Sequence, residues 1–283
     1  MFTLITSIAC SVTVSILLKI ARQRQIDVGQ AIAVNYVVAV CLASFLLQAQ
    51  PQRLFEPSTP WWVLITLGFL LPSIFLAMAA AVRHAGIVLS DAAQRLSLFI
   101  PLIASFVLFG EALGSQKLTG IVVALTALAL LLYKPQSVSG QAGHAKSSII
   151  SLLLVWVGYG VIDILFKQLS KSGAAFANSL VVTFSLAGVL MFAYLLYKRT
   201  RWNARSLLAG LILGLLNFGN IYFYIRAHQT FPQNPTLVFS AMNIGVISLG
   251  ALVGAGVFKE KLSVVNIIGV VLAIVAVLVL IPR

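Results

Sequence analysis

Acidic side chains are scarce in this chain: six Asp and Glu stand against nineteen Lys and Arg, a formal net charge of +13 over 283 residues. Charge of either sign is rare, at 9% of residues, while 60% are hydrophobic and mean hydropathy is +1.05, far outside the range of soluble domains. The two cysteines, Cys10 and Cys41, both fall inside apolar runs, so neither a disulfide framework nor a metal site is expected. Only three histidines occur, His84, His144 and His228, widely scattered. No Ser-His pair inside an apolar run, no metal-ligand spacing and no phosphate-binding glycine loop accompanies them, so no catalytic residues, no metal and no cofactor are expected. The excess of bases does not make a nucleic-acid surface, because the bases sit in short clusters between apolar runs and no soluble basic face exists to carry them. Ser7-Ile8-Ala9-Cys10 has the look of a lipoprotein cleavage site. A charged leader is missing and the apolar run continues through Leu18, so no cleaved signal is expected.

What the chain has is about ten apolar runs that approach the ~20 residues needed to cross a bilayer. Helices are expected at 2–20, 29–48, 61–82, 86–109, 117–133, 148–168, 175–197, 205–228, 234–257 and 263–281. Strands are not, since they satisfy their backbone in lipid only by closing a barrel, and period-two patterning is absent. Pro72 and Pro101 fall inside helices 3 and 4 and should kink them. Trp61, Trp62 and Trp202 lie at helix entrances, the headgroup level that amphipathic rings favour.

The second half repeats the first. A shift of 149 residues lays Phe109, Glu111, Leu113 and Gly120 on Phe258, Glu260, Leu262 and Gly269, and it continues through Val122, Ala124, Ala127 and Leu131 without a gap. The polar stretch 135–147 then reads as a linker between a first repeat, 1–134, and a second, 148–283. Five helices per repeat is odd, so the second copy must enter the membrane in the opposite sense. The fold class expected is an all-α membrane protein of ten transmembrane helices in two inverted five-helix repeats. The loop bases, among them Arg22, Arg24, Lys134, Lys146, Lys198, Arg199, Arg201 and Arg205, put loop 7–8 in the cytoplasm and both termini outside.

Polar residues at membrane depth are costly and usually face a bundle interior or cavity. Helix 4 aligns Asp91, Gln94 and Arg95. Helix 6 aligns Trp156, Tyr159, Asp163 and Lys167, and helix 8 aligns Asn217, Asn220, Tyr224 and His228. Helix 1 carries Ser7, Ser11, Ser15 and Lys19 on one side. Each stripe has a plainer reading beside the functional one. Asp91 with Arg95, and Asp163 with Lys167, are i, i+4 pairs able to neutralise each other. Lys167 sits near a helix end and can snorkel. Asn217 and Asn220 can be interhelical glue, His228 can be interfacial, and Gly250 with Gly254 can be a close-packing face. The repeat lays Asp91, Gln94 and Arg95 on Ser240, Asn243 and Ile244. One scaffold with different polar groups in its two copies suits a cavity for an asymmetric solute. Glu111 and Glu260 read as structural, each placing a carboxylate at the N-terminus of the helix that follows it.

The Phe-x-Glu-x-Leu break, with Pro101 ahead of Phe109-Gly110-Glu111-Ala112-Leu113 and Gly120 beyond it, resembles the drug/metabolite transporter superfamily in its EamA-like members. The second copy departs from that pattern, with Gly250 in place of the proline. The resemblance covers essentially the whole chain. It implies a ten-helix transporter whose central cavity is lined by helices 1, 3, 4, 6, 8 and 9. It also implies cytoplasmic termini, the opposite of the loop count.

The function expected is secondary active transport of a small polar metabolite in the inner (plasma) membrane, most simply an amino acid or similar zwitterion. Arg95 is suited to a carboxylate and Asp91 or Asp163 to an ammonium group. Substrate contacts are expected from Asp91, Gln94, Arg95, Tyr159, Asp163, Asn217, Asn220, Tyr224 and Asn243, with Asp163 and Asp91 as candidates for proton coupling. Partners are the small-molecule substrate and the lipid bilayer, with no nucleic acid, and the state is a monomer or homodimer. The alternatives are exchange of phosphorylated or nucleotide-linked metabolites if Arg95, Arg226 and Lys167 converge, multidrug or toxin export, and a non-transporting membrane subunit.

Overall fold

The computed structural model describes residues 1–23, 26–50, 59–132, 145–171, 176–258 and 263–281. Ten helices and no strand occur among them: α1 (Phe2–Gln23), α2 (Val28–Phe45), α3 (Trp61–Leu96), α4 (Phe99–Val107), α5 (Ser115–Leu132), α6 (Ala145–Ser170), α7 (Phe176–Tyr197), α8 (Ala204–Thr230), α9 (Pro235–Phe258) and α10 (Val264–Leu280). Six stretches are long and apolar enough to cross a membrane: Val28–Phe45, Trp61–His84, Ser147–Ser170, Phe176–Tyr197, Ala204–Thr230 and Pro235–Val257. Four shorter apolar helical stretches accompany them, so the helix count of ten holds while six of the ten have full spanning length. Most of the expected linker, and Glu260, lie outside the described residues; the linker's last residues, 145–147, already belong to α6.

The break between helices 3 and 4 is not where charge suggested. α3 continues for 36 residues through Arg83 and His84, about 54 Å, well past the ~30 Å of hydrocarbon. It ends at Leu96, and α4 begins at Phe99 with Pro101 in its first turn. Pro101 therefore breaks the helix and does not kink it. Its ring would collide with the carbonyl of Ser97 and it has no N–H to donate, whereas in a first turn that N–H has no intrahelical partner anyway. Pro72 stays within α3.

The chain forms two compact units, each drawing on both halves of the sequence: Met1–Phe75 with Leu165–Gln229, and Leu76–Ile164 with Thr230–Arg283. In the first unit α2 and α7 pack antiparallel. Gly29, at the start of α2, faces Met191 and Leu195 near the end of α7, and Asn178, at the start of α7, accepts a hydrogen bond from Gln50 N beyond α2 at 2.6 Å. Midway, the rings of Tyr36 and Phe184 lie 6.5 Å apart. α8 packs on α2 through Gly210 and Gly214. A Cβ on Gly210 would lie 2.6 Å from Val34 Cβ and 2.8 Å from the carbonyl oxygen of Ala31, and one on Gly214 would lie 2.5 Å from Val38 Cβ. In lipid, where apolar burial drives little between helices, such small residues allow the backbones to approach.

In the second unit α5 and α10 pack antiparallel in the same manner. Gly120 at the start of α5 faces Leu280 at the end of α10, and Gly269 at the start of α10 faces Leu131 at the end of α5. Amide side chains fasten both ends. Gln116 donates to the carbonyls of Val279 and Ile281, and Asn266 donates to those of Leu130 and Leu131 while completing a capping box with Ser263. The expected close-packing face at Gly250 is absent, since nothing lies within 4 Å of a Cβ built there.

Gly210→Ala should cost about 1–3 kcal/mol, because one of the groups it meets is backbone that cannot rotate away. Gly250→Ala enters open space inside a helix and should be neutral or stabilising by up to ~1 kcal/mol. Thermal unfolding of the two variants in detergent checks this: equal melting points would contradict the α2–α8 contact.

Candidate functional site

The nine candidate substrate contacts divide between the units. Asn217, Asn220 and Tyr224 belong to the first, and Asp91, Gln94, Arg95, Tyr159, Asp163 and Asn243 to the second.

In the first unit the α8 stripe is engaged along its length. Ser7 Oγ of α1 lies 2.9 Å from both the carbonyl oxygen and Oδ1 of Asn220, to which it donates. Asn217 donates from Nδ2 to Asn35 Oδ1 of α2 at 3.1 Å. Both asparagines thus join α8 to neighbouring helices. Tyr224 is buried, its ring edge-on to Phe166 of α6 at 6.1 Å and 4.9 Å from the ring of His228. Lys167 and His228 overturn their plainer readings: Lys167 is 2% exposed, too enclosed to snorkel, and His228 is 0% exposed and not interfacial. They occupy the last turns of α6 and α8, and the Lys167 ammonium favours the negative end of α6. Gln229 Nε2 reaches the carbonyl of Ser170 at 3.4 Å, bringing those two ends together.

In the second unit Trp156 Nε1 donates to the carbonyl of Leu96 at 3.0 Å. With Ser148 Oγ on the carbonyl of His84 and Gly160 against Ile100, that bond runs α6 parallel to α3 and then α4, so Trp156 meets the end of α3 and Asp163 lies about two turns beyond it. Gln94, Arg95, Tyr159 and Asp163 are all partly buried. Asn243 donates to the carbonyl of Phe239, one turn back on α9. The side chain of Asp91 lies outside the described residues.

Glu111 is structural, as its position suggested, but with a different helix. α5 begins four residues later, at Ser115, and the carboxylate turns away to α9. Oε2 accepts from Thr236 N at 2.9 Å and from Thr236 Oγ1 at 2.7 Å, and Oε1 lies 3.0 Å from Lys117 Nζ. Thr236 is the second residue of α9, so its N–H is one of the four with no intrahelical acceptor, and the carboxylate also meets the positive helix end. The turn that aims Glu111 runs through Gly110 at φ +66, a left-handed conformation in which glycine carries no Cβ penalty. Sequence alone did not pair Glu111 with Thr236, since 125 residues separate them.

Ten apolar helices with polar groups engaged between them define an integral membrane protein. Residues 1–133 match the EamA-like transporter family, and the chain belongs to that family, within the drug/metabolite transporter superfamily. It is a family of transporters. The chain is 49% identical over 282 residues to an uncharacterized protein of Haemophilus influenzae, the match covering 98% of this chain and 96% of the relative. A protein crystal structure shares the fold at a TM-score of 0.76 and 15% identity, covering 98% of this chain and 94% of the other.

Glu111→Gln leaves the Lys117 ammonium without its partner and weakens the cap on α9. Breaking a buried pair costs about 3–5 kcal/mol, and the partial exposure of Lys117 brings the expectation to about 2 kcal/mol. A detergent melt checks it, and an unchanged melting point would show that the carboxylate does not hold α9.

Proposed function

We propose that this protein is a secondary active transporter of the inner membrane that moves a small polar metabolite, an amino acid or similar zwitterion, by alternating access. The observation that carries the zwitterion reading is charge of both signs in one unit at membrane depth. Arg95 is the last residue but one of α3, and Asp163 sits on α6 about two turns beyond the point where Trp156 hydrogen-bonds Leu96. A solute with a carboxylate and an ammonium group matches such a pair.

Inverted repeats over 1–134 and 148–283 are supported by contacts between equivalent residues. At the repeat shift of 148–149, Tyr36 corresponds to Phe184, which it touches. Gly120 facing Leu280 corresponds to Gly269 facing Leu131. Antiparallel packing of equivalent helices, with each glycine meeting the other copy's leucine, is what a two-fold axis in the membrane plane generates. The family match, ending at residue 133, coincides with the first repeat.

Uptake by purified protein in liposomes, with pooled radiolabelled amino acids and an imposed pH gradient, tests the reading. Accumulation should fall ten- to a hundredfold in Arg95→Ala, the loss of a charge-assisted hydrogen bond worth ~1.5–3 kcal/mol. Asp163→Asn should remove the dependence on the pH gradient if that carboxylate carries the proton, with Asp91→Asn as the parallel test. Uptake undiminished in Arg95→Ala would place the carboxylate elsewhere.

One observation favours a second reading, exchange of phosphorylated or nucleotide-linked metabolites: Lys167 is a cation buried within a membrane-crossing helix. Labelled inorganic phosphate should then enter only vesicles preloaded with phosphate or a phosphorylated solute, and Lys167→Gln should abolish the exchange. Entry into empty vesicles, or exchange that survives the substitution, would rule it out.

A further inference from the structure

The first unit concentrates the positive charge of the chain. It holds eleven of the nineteen bases but two of the six acids, Asp27 and Glu56, and therefore nine of the thirteen net positive charges. From Ile164 to Lys259 the sequence has no acid at all. Four of these bases, Lys198, Arg199, Arg201 and Arg205, fall within eight residues where α7 ends and α8 begins, and all four are exposed.

Three features mark this connection as built to display charge. Arg199 has φ +49 and closes α7 in a Schellman turn, with Arg199 N bonded to the carbonyl of Leu196 and Thr200 N to that of Leu195. That position suits glycine, and a side chain is held there against a steric penalty. Arg201 lies three residues before α8 and Arg205 within its first turn, the positive pole of a 27-residue helix with no acid in that turn. Cations are disfavoured there and an anion is favoured. The segment is also held firmly. The buried side chain of Gln30 donates to the carbonyl of Arg201 at 2.8 Å and accepts from Asn203 N at 2.9 Å, and Ser206 Oγ accepts from Asp27 N at 3.0 Å. Asp27, the described acid of this unit, caps α2 and bonds Gln30 through both carboxylate oxygens.

The apolar surroundings decide which anion fits. Leu196 and Tyr197 just before the bases are 66% and 87% exposed, and Trp202 between them is 46% exposed, its ring 5.9 Å from Phe192. Aromatic rings of this kind settle at the headgroup level, with acyl chains on one side and water on the other. We propose that Lys198, Arg199, Arg201 and Arg205 form a preorganised site for the phosphodiester headgroup of an anionic phospholipid, whose acyl chains lie along Leu196, Tyr197 and Trp202. The site binds the protein to a charged leaflet at the end of α7 and does not depend on which solute is carried.

Native mass spectrometry of the detergent-solubilised protein, titrated with phosphatidylglycerol and separately with phosphatidylcholine, tests it. The wild type should retain phosphatidylglycerol selectively, less so as salt rises. Each base near an anionic headgroup contributes about fivefold, so the triple variant Arg199→Gly/Arg201→Gln/Arg205→Gln should retain it about a hundredfold less. Arg199→Gly alone should not lower the melting point, because it relieves the left-handed residue; a purely structural arginine would. Arg201→Lys/Arg205→Lys, which keeps the charge, should keep most of the binding. Equal retention of the two lipids, an unaffected triple variant, or displacement of phosphatidylglycerol by millimolar inorganic phosphate would each overturn the proposal, the last by pointing to a free anion.

Discussion

A polar group inside a bilayer has no water to turn to, and this constraint accounts for much of the structure. Hydroxyls satisfy it within their own helix: Thr6, Thr13, Thr66, Ser73, Ser105, Thr119 and Thr126 each donate to the carbonyl four residues back. Amides and carboxylates satisfy it between helices. Asn220 accepts from Ser7, Asn217 donates to Asn35, Asn266 bonds the end of α5, and Glu111 gathers Thr236 and Lys117. Each of these interhelical bonds fixes the register of a helix pair.

Between those bonds the helices meet through absent side chains. Gly210 and Gly214 admit α2 against α8, and Gly120 and Gly269 admit the leucines of the opposite helix. Polar bonds at helix ends and glycines along the helices act together. In α5 and α10 the amide of Gln116 and the glycine four residues on hold the same helix end. Gly120 meets Leu280 and Gly269 meets Leu131, so the two ends of the α5–α10 contact are built alike.

Much of this was legible in the sequence, for identifiable reasons. Long apolar runs with almost no charge and no period-two alternation form helices in lipid, so the ten helices could be read from composition, length and period. The polar stripes were visible because a 3.6-residue period places them on one face. What escaped depended on the neighbour. Gly210 and Gly250 each begin a small-xxx-small pair, and only the rotation of each helix decides that Gly210 meets a backbone while Gly250 meets nothing. Arg83-His84 looked like a loop because it is polar, yet both residues are compatible with a helix, and the chain breaks where Pro101 obstructs the carbonyl of Ser97. Lys167 and His228 lie near helix ends, which suggested exposure, but nothing local shows that another helix end covers them. The acceptor role of Glu111 was apparent and its donor, in the other half of the chain, was not.

The architecture belongs to a transporter family, and charge of both signs within the second unit, on Arg95 and Asp163, is what gives the proposed amino-acid reading its content. Its central claim is that the protein is a carrier, which binds its solute on either side of the membrane in turn. Counterflow tests that most directly because it needs no coupling ion. Vesicles preloaded with an unlabelled amino-acid mixture are diluted into a trace of labelled mixture. A carrier gives a transient overshoot of label inside, above the level in protein-free vesicles and in vesicles that were not preloaded. Label that only equilibrates, at the same rate with and without preloading, would contradict the account.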